Sequence, residues 1–476
     1  VTGVQTCALP ISASNNTAVG YASMYDNTTG QFNLASGYLA LENNTTGSYN
    51  TALGAYALDG NTTASNNTAV GYGAAYSNVT GASITAVGYA ALYNNTASNN
   101  TAVGVSAGNA NTSGSENTFI GRSAAQLNTT GANNVALGYA ALYTNTTASN
   151  NTAVGYQTGY SNTTGVGNNS FGYTAGYSTS TTNYNNAFGN YALYSNTGDQ
   201  NAAFGHQALR ANTSGSYNAA FGTDALRFNG AASNNTALGY QSLYNITASN
   251  NTAVGCQSLF TNVTGTSSTA VGYQAGYSCT GGENDFFGIS SGGSITSGTN
   301  NILIGAYSGN YTATKLTTGT NNVYISQYSI PSSASVTYEI LLGYNLTGKG
   351  TNTFYVRASN GSYNTANSST WATTSDQRIK KNIVSLDGAL AKITALRPVE
   401  FDYKENDKHE AGFVAQEYQQ VLPDQVITHS PNQAEKEWVG EDAVLAIQQN
   451  LVPYLVAAIK ELKAEVDSLK SQLKGN

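Results

Sequence analysis

Charge is scarce in this chain: only 9% of its 476 residues are Asp, Glu, Lys or Arg, and they are unevenly spread. Nine acidic and six basic residues lie between Ser12 and Thr374, while the last 102 residues carry the other sixteen acids and twelve bases. The net charge of −7 and the lack of any basic stripe argue against a nucleic-acid partner or an anionic membrane surface. No apolar run approaches the roughly 20 residues of a membrane-spanning helix, so no membrane insertion is expected. Three cysteines, Cys7, Cys256 and Cys279, are too few and too scattered for a disulfide framework. His206, His409 and His429 are equally scattered, without the spacing of a metal site, so neither metal nor cofactor is called for. The opening segment VTGVQTCALPIS, residues 1–12, reads as a translated sequencing-adapter oligonucleotide and is set aside from fold reasoning.

Glycine, by contrast, is abundant and periodic. It recurs every 16 or 17 residues from Gly20 through Gly37, Gly54, Gly71 and Gly88 to Gly288 and Gly305, which marks about eighteen stacked copies of one small unit. Aligned on that glycine, the unit reads NNTAVGYxALYxNTTG. A branched or aromatic residue precedes the glycine (Val19, Leu53, Val70, Val87, Val103, Ile120, Phe171, Phe221) and is expected to face inward. A second apolar column, Met24, Leu41, Leu58, Leu92, Leu142 and Leu209, follows four residues after it, with alanines between. Two short strands and two turns per coil fit this pattern, because the repeat is too short for a helix pair and is rich in turn residues. The expected fold is therefore mainly β: a parallel β-solenoid over residues 13–310. Asn and Thr stacked in register can bond along the rod as ladders, the alternative being that the NNT and NTT triplets are glycan acceptors. The tyrosines after the glycine (Tyr21, Tyr38, Tyr72, Tyr89, Tyr139, Tyr156) suit packing or a rim between chains, or else a stripe on which sugars stack.

With its apolar-Gly core, this array resembles the left-handed parallel β-roll heads of trimeric autotransporter adhesins, although its unit is longer and richer in tyrosine. That resemblance implies a homotrimer.

Past Gly305 the period fades, and NNVYISQYS, VTYEILLGYNLTG and NTFYVRASNGS read as strands of another register, forming a β-rich neck over residues 311–374. Composition then changes abruptly, and residues 375–476 read as a small mixed α/β domain. Leu386 to Leu396 has helical spacing, Val399 to Tyr403 reads as a strand, and Ala411 to Leu422 reads as strand then helix. Leu455, Ile459, Leu462, Val466, Leu469 and Leu473 alternate four and three apart, a short coiled-coil seam that needs partners.

The segment SDQRIKKNI, the GFVAQE box and the terminal helix together resemble the endosialidase-type intramolecular chaperone at the C-terminus of phage tail spikes and tail fibres. In that family the domain assembles a trimer and then cuts itself off before its serine. By this resemblance Ser375 is the nucleophile, Lys380 its general base and Thr374–Ser375 the scissile bond, with Asp376, Arg378 and Asn382 in support. The chemistry is sound in itself, since a lysine whose pKa is lowered by burial or by a cationic neighbour such as Arg378 or Lys381 can activate a serine. Attack on the chain's own preceding carbonyl gains further from proximity. Read without the resemblance, SDQRIKKN is a capped helix start followed by solvated cations.

The functional expectation is a structural, host-binding part of a homotrimeric phage tail fibre, located in the virion tail and recognising a cell-surface glycan or protein. A bacterial surface adhesin is the alternative. A polysaccharide-cleaving tail spike is the third reading, and it needs two facing carboxylates. The acids Asp26, Glu42, Asp59, Glu116, Asp199 and Asp224 fall in different coils, and along the chain only Glu283 and Asp285 come close.

Overall fold

The computed structural model describes residues 13–356, 362–365, 372–373, 381–402, 409–429, 444–448 and 451–474. The chain divides into two compact units, Val1–Thr374 and Ser375–Asn476.

The first unit is a parallel β-solenoid. Eighteen three-residue strands, β1 (Thr17–Val19) to β18 (Ile302–Ile304), pair in unbroken parallel register. Each coil contributes one strand rather than two, and the segment after the glycine is the reason. There, alternate residues take left-handed backbone angles, as at Leu39 (φ 52) and Leu41 (φ 55) or Tyr56 (φ 61) and Leu58 (φ 50). Each such residue costs roughly 1–2 kcal/mol in isolation. The gain is that successive amides point to opposite neighbours: Leu39 N–H donates back to Tyr21 O (3.0 Å) and Leu41 N–H forward to Ala57 O (2.9 Å). The turn segment is thus hydrogen-bonded to both adjacent coils without being a strand.

The periodic glycine answers two demands at once. Gly138 has φ 137, and a Cβ there would lie 2.3 Å from the carbonyl oxygen of Gly155 in the next coil. No L-residue satisfies either condition.

Within each strand the middle residue is the one that faces inward. Ala35, Ala52, Ala69, Ala86, Ala102 and Ala136 are fully buried. Alternation along a strand then turns the bulkier residue before the glycine outward. This reverses the expected inward column: Val19 is 57% exposed and Leu238 50%. The lumen is narrow, so it takes alanine from the strand and Met24, Leu41, Leu58, Leu92, Leu142 and Leu209 from the turn, all buried as their spacing indicated.

Asparagine fills the rest of the interior in two ladders. In one, the side chain meets the next backbone: Asn33 N–H donates to Asn16 Oδ1 and Asn50 N–H to Asn33 Oδ1, each at 2.8 Å. In the other, amide meets amide: Asn44 Nδ2 donates to Asn27 Oδ1 (2.8 Å), Asn128 to Asn111 (2.7 Å) and Asn145 to Asn128 (2.6 Å). The NTT asparagines Asn44, Asn61, Asn128 and Asn145 are wholly buried, so these triplets are ladder rungs and present no acceptor to a glycan. Where Thr179 interrupts the second ladder, Asn162 Oδ1 is left without a partner.

Parallel stacking continues past Gly305. Strands β19 (Val323–Gln327), β20 (Glu339–Tyr344) and β21 (Thr353–Val356) extend the same ladder, with Ile304 beside Ile325 and Ile325 beside Leu342. The first part of the expected neck is therefore solenoid, in the same register. An insertion lengthens that coil and Ser326 takes the position that glycine holds elsewhere, so the period is hidden. Antiparallel pairing begins only with β22 (Ser362–Thr365) and β23 (Ala372–Thr373). Twenty-one parallel rungs extend on the order of 100 Å. Glu339 ends the first asparagine ladder. It is fully buried, donates its N–H to Asn322 Oδ1 (2.9 Å), and accepts from the Tyr324 hydroxyl (2.6 Å) and from the N–H of Gly350 (3.0 Å) and Ser332 (3.3 Å).

The second unit holds α1 (Ala389–Ala395), the hairpin β24 (Val399–Asp402) and β25 (His409–Gly412), α2 (Ala415–Val421), a second pair β26 (Val426–His429) and β27 (Val444–Ile447), and a long helix α3 (Val452–Lys474). The helix α3 and the order strand then helix across the GFVAQE box match the sequence pattern, while β26 and β27 had no clear signal in it.

Candidate functional site

Two surfaces carry the residues with chemical or binding potential: the outside of the rod and the second unit. On the rod, the strand face presents a lengthwise apolar stripe. Val19, Val103, Ile120, Leu137, Phe221, Leu238, Phe287, Ile304 and Ile325 are each more than a third exposed, and Phe171, Phe188, Phe204 and Phe221 stack ring on ring at 4.6–4.8 Å.

Beside the glycine edge runs the tyrosine column. Tyr139, Tyr156 and Tyr173 stack at 5.2 Å, and four residues further on Tyr143, Tyr160, Tyr177 and Tyr194 form a second ladder at 5.1–5.2 Å. The first column remains open, at 42–44% exposure for Tyr139, Tyr156 and Tyr173. Cys256 occupies a place in that column, whereas Cys279 replaces a ladder asparagine and is buried; both are free thiols, and burial pushes the Cys279 thiol up to about 12.

Stacking also corrects the reading of the acids. Glu42 and Asp59 are separated by one coil, so the repeat sets them side by side on the second tyrosine column, directly before Tyr76. Asp59 is 8% exposed and its Oδ1 has no hydrogen-bond partner. Burial, and then the neighbouring Glu42, push its carboxyl up to about 6. Glu283 and Asp285, two apart in sequence, instead flank the buried Asn284 within one coil.

In the second unit, Thr374, Ser375, Asp376, Arg378 and Lys380 lie outside the described residues. Asn382 is described: it is exposed, with φ 56, and is followed by the open Ile383 and Val384. Further on, the N-terminus of α1 is capped from a distance. Glu461 on α3 accepts the Ala389 N–H at Oε1 (3.0 Å) and the Leu390 N–H at Oε2 (2.7 Å). Free amides at a helix start attract an anion, and these bonds hold the Glu461 carboxyl below its ordinary range. Sequence reasoning had no handle on this contact, because its partners are 71 and 72 residues apart and Glu461 looks like any helix glutamate. Arg397 binds Glu417 through both carboxylate oxygens (3.0 and 2.5 Å), and His409 Nδ1 lies 2.8 Å from Asp402.

The seam of α3 is bare: Leu455, Ile459, Leu462, Val466, Leu469 and Leu473 are 39–78% exposed. Among the described residues, no group of three or more His, Cys, Asp or Glu is placed to hold a metal ion, and no helix is long and apolar enough to cross a membrane.

Neither the curated proteins nor the solved structures offer a match to this chain. Residues 375–427, which open at the expected serine and run through the GFVAQE box, match the family model described as the chaperone of endosialidase.

Proposed function

We propose that this chain is the shaft and host-binding section of a homotrimeric phage tail fibre, and that its second unit assembles the trimer and then releases itself. The observation that carries this reading is the apolar stripe along the strand face, together with the bare seam of α3. A soluble monomer rarely leaves much contiguous apolar surface open, and here two separate units of one chain each leave a row of apolar side chains exposed. Identical chains with lengthwise stripes satisfy one another around a common axis, and a coiled coil of α3 would set their number and register before the long rods pair. The family match at 375–427 supports the chaperone role.

In the release step, Lys380 takes the proton of the Ser375 hydroxyl, and Oγ attacks the carbonyl carbon of Thr374. The Thr374–Ser375 C–N bond breaks, the Ser375 nitrogen gains a proton, and an ester joins Thr374 to Oγ. Water then hydrolyses that ester, giving a Thr374 carboxylate and a free N-terminal serine. No cofactor is consumed. The rod remains in the virion tail, with its open first tyrosine column facing a cell-surface glycan or protein.

Denaturing electrophoresis with mass determination tests the release. Wild-type protein should yield a fragment ending at Thr374 and one of 102 residues, whereas Ser375→Ala should stay whole. A wild-type chain that remains intact after assembly refutes the cleavage.

A further inference from the structure

The two tyrosine columns run in parallel, and the residue two places after each periodic glycine fills the groove between them. That residue is Gln207, Gln241, Gln257 or Gln274 in several coils and a larger or small side chain in the rest, but Gly73 in the coil that begins at Gly71. Here the groove opens into a cavity of about 210 Å³ lined by Tyr56, Tyr72, Gly73, Tyr76 and Tyr93. At the ~30 Å³ of liquid that one water occupies, this is room for roughly seven waters, or one small organic group. Its walls are crossed rings. Tyr56 meets Tyr72 at 72° and Tyr76 at 63°, while Tyr76 and Tyr93 stack at 10°.

What suits such a box is indicated elsewhere on the same rod. Tyrosine occupies the groove position again at Tyr191, crossing Tyr173 at 66°, and there the chain's own Arg210, from the next coil, sits 5.5 Å from the ring centroid. Arg122 lies over Tyr139 at 5.8 Å, and Arg227 over Tyr244 at 5.7 Å. At the Gly73 box no arginine fills that role, since Tyr76 takes the place in its coil that Arg210 has in its own. The neighbouring charges are negative instead: the buried Asp59 and then Glu42 stand one and two coils below Tyr76 in its column. Crossed aromatic faces beside carboxyl groups favour a cation over a neutral ring.

We propose that the Tyr56–Tyr72–Tyr76–Tyr93 box is a binding site for an organic ammonium group presented by a host-surface molecule. This deepens the host-binding reading and rests on it. The ammonium has two ready sources, a quaternary head group or the primary amine of an amino sugar, and both present the same charge to the rings.

Calorimetric titration of the assembled protein with choline, glucosamine, N-acetylglucosamine and glucose tests the site. Choline or glucosamine should bind with a Kd on the order of 1 mM, and the two uncharged sugars should not. The tighter of the two ammonium ligands identifies the source. Gly73→Gln should weaken binding at least ten-fold: Gln207 holds the equivalent place with φ 58, so the backbone accepts the side chain, and its Cβ, 3.1 Å from the Tyr93 ring, closes the box. Tyr72→Ala, at a half-exposed wall, should weaken it similarly, and Asp59→Asn about three-fold. Equal binding of glucose, no binding of either ammonium, or undiminished binding in both Gly73→Gln and Tyr72→Ala would overturn the assignment. Fragmentation at Thr374–Ser375 is unaffected by any of these outcomes, so failure here is distinguishable from failure of the fibre reading.

Discussion

The two units of this chain solve the problem of stability in opposite ways. The solenoid has an interior of alanine, leucine and asparagine that is satisfied coil by coil, so each rung is held by its neighbours. Among the described residues of the second unit, by contrast, only Ala389, Tyr418, Leu422 and Ala458 are buried, and the apolar face of its longest helix is open. Repetition lets a chain with little charge and small side chains build a long object from local contacts. The second unit has no repeat to draw on and leaves its apolar seam exposed.

The largest expected effect breaks that contrast at the seam. Leu462→Asp with Leu469→Asp should abolish assembly, seen as loss of the high-mass species in light scattering, because charge at two seam positions cannot be buried between helices. A variant that still assembles would mean that the stripe on the rod suffices. Within the solenoid, Gly138→Ala should cost about 3 kcal/mol or more, since it combines a forbidden φ with a backbone clash against Gly155. Chemical denaturation of the rod ending at Thr374 reads it. Asn128→Ala should cost about 2 kcal/mol in the same assay, because Asn111 Oδ1 and the Gly131 carbonyl both lose a buried donor.

The smallest effect concerns pH. Asp59 has its folded pKa raised from 3.8 to about 6. The folded state therefore holds this proton more tightly than the unfolded chain, and stability should fall as pH rises from about 4 to about 6, then level off. In Asp59→Asn that slope should be reduced, as read from the melting temperature across the range. An unchanged slope would place the raised pKa elsewhere.

Much of the rod was legible in sequence because its period is written in glycine, a residue whose conformational role is narrow. Met24, Leu41 and Leu58 revealed an inward column for the same reason: a large residue at fixed spacing in a turn has one place to go. The column before the glycine misled, since Val19 and Leu238 are larger than the alanines beside them and look more like core. Only lumen width decides that alanine goes in, and no residue states it. The continuation through β19 and β20 was hidden by a longer coil and by Ser326 in place of glycine. Glu42 and Asp59 looked remote because 17 residues separate them in sequence, though in a solenoid that distance is one step along the axis. In the second unit, the α3 seam was visible as a heptad, whereas the Glu461 cap on α1 depends on tertiary approach alone.

Native mass spectrometry of the wild-type protein after release most directly tests whether stripe and seam exist to join copies of this chain. Assembly by a detachable unit requires particles of three chains, each ending at Thr374, with the 102-residue piece found separately. A stable single chain whose rod carries no partners would contradict it.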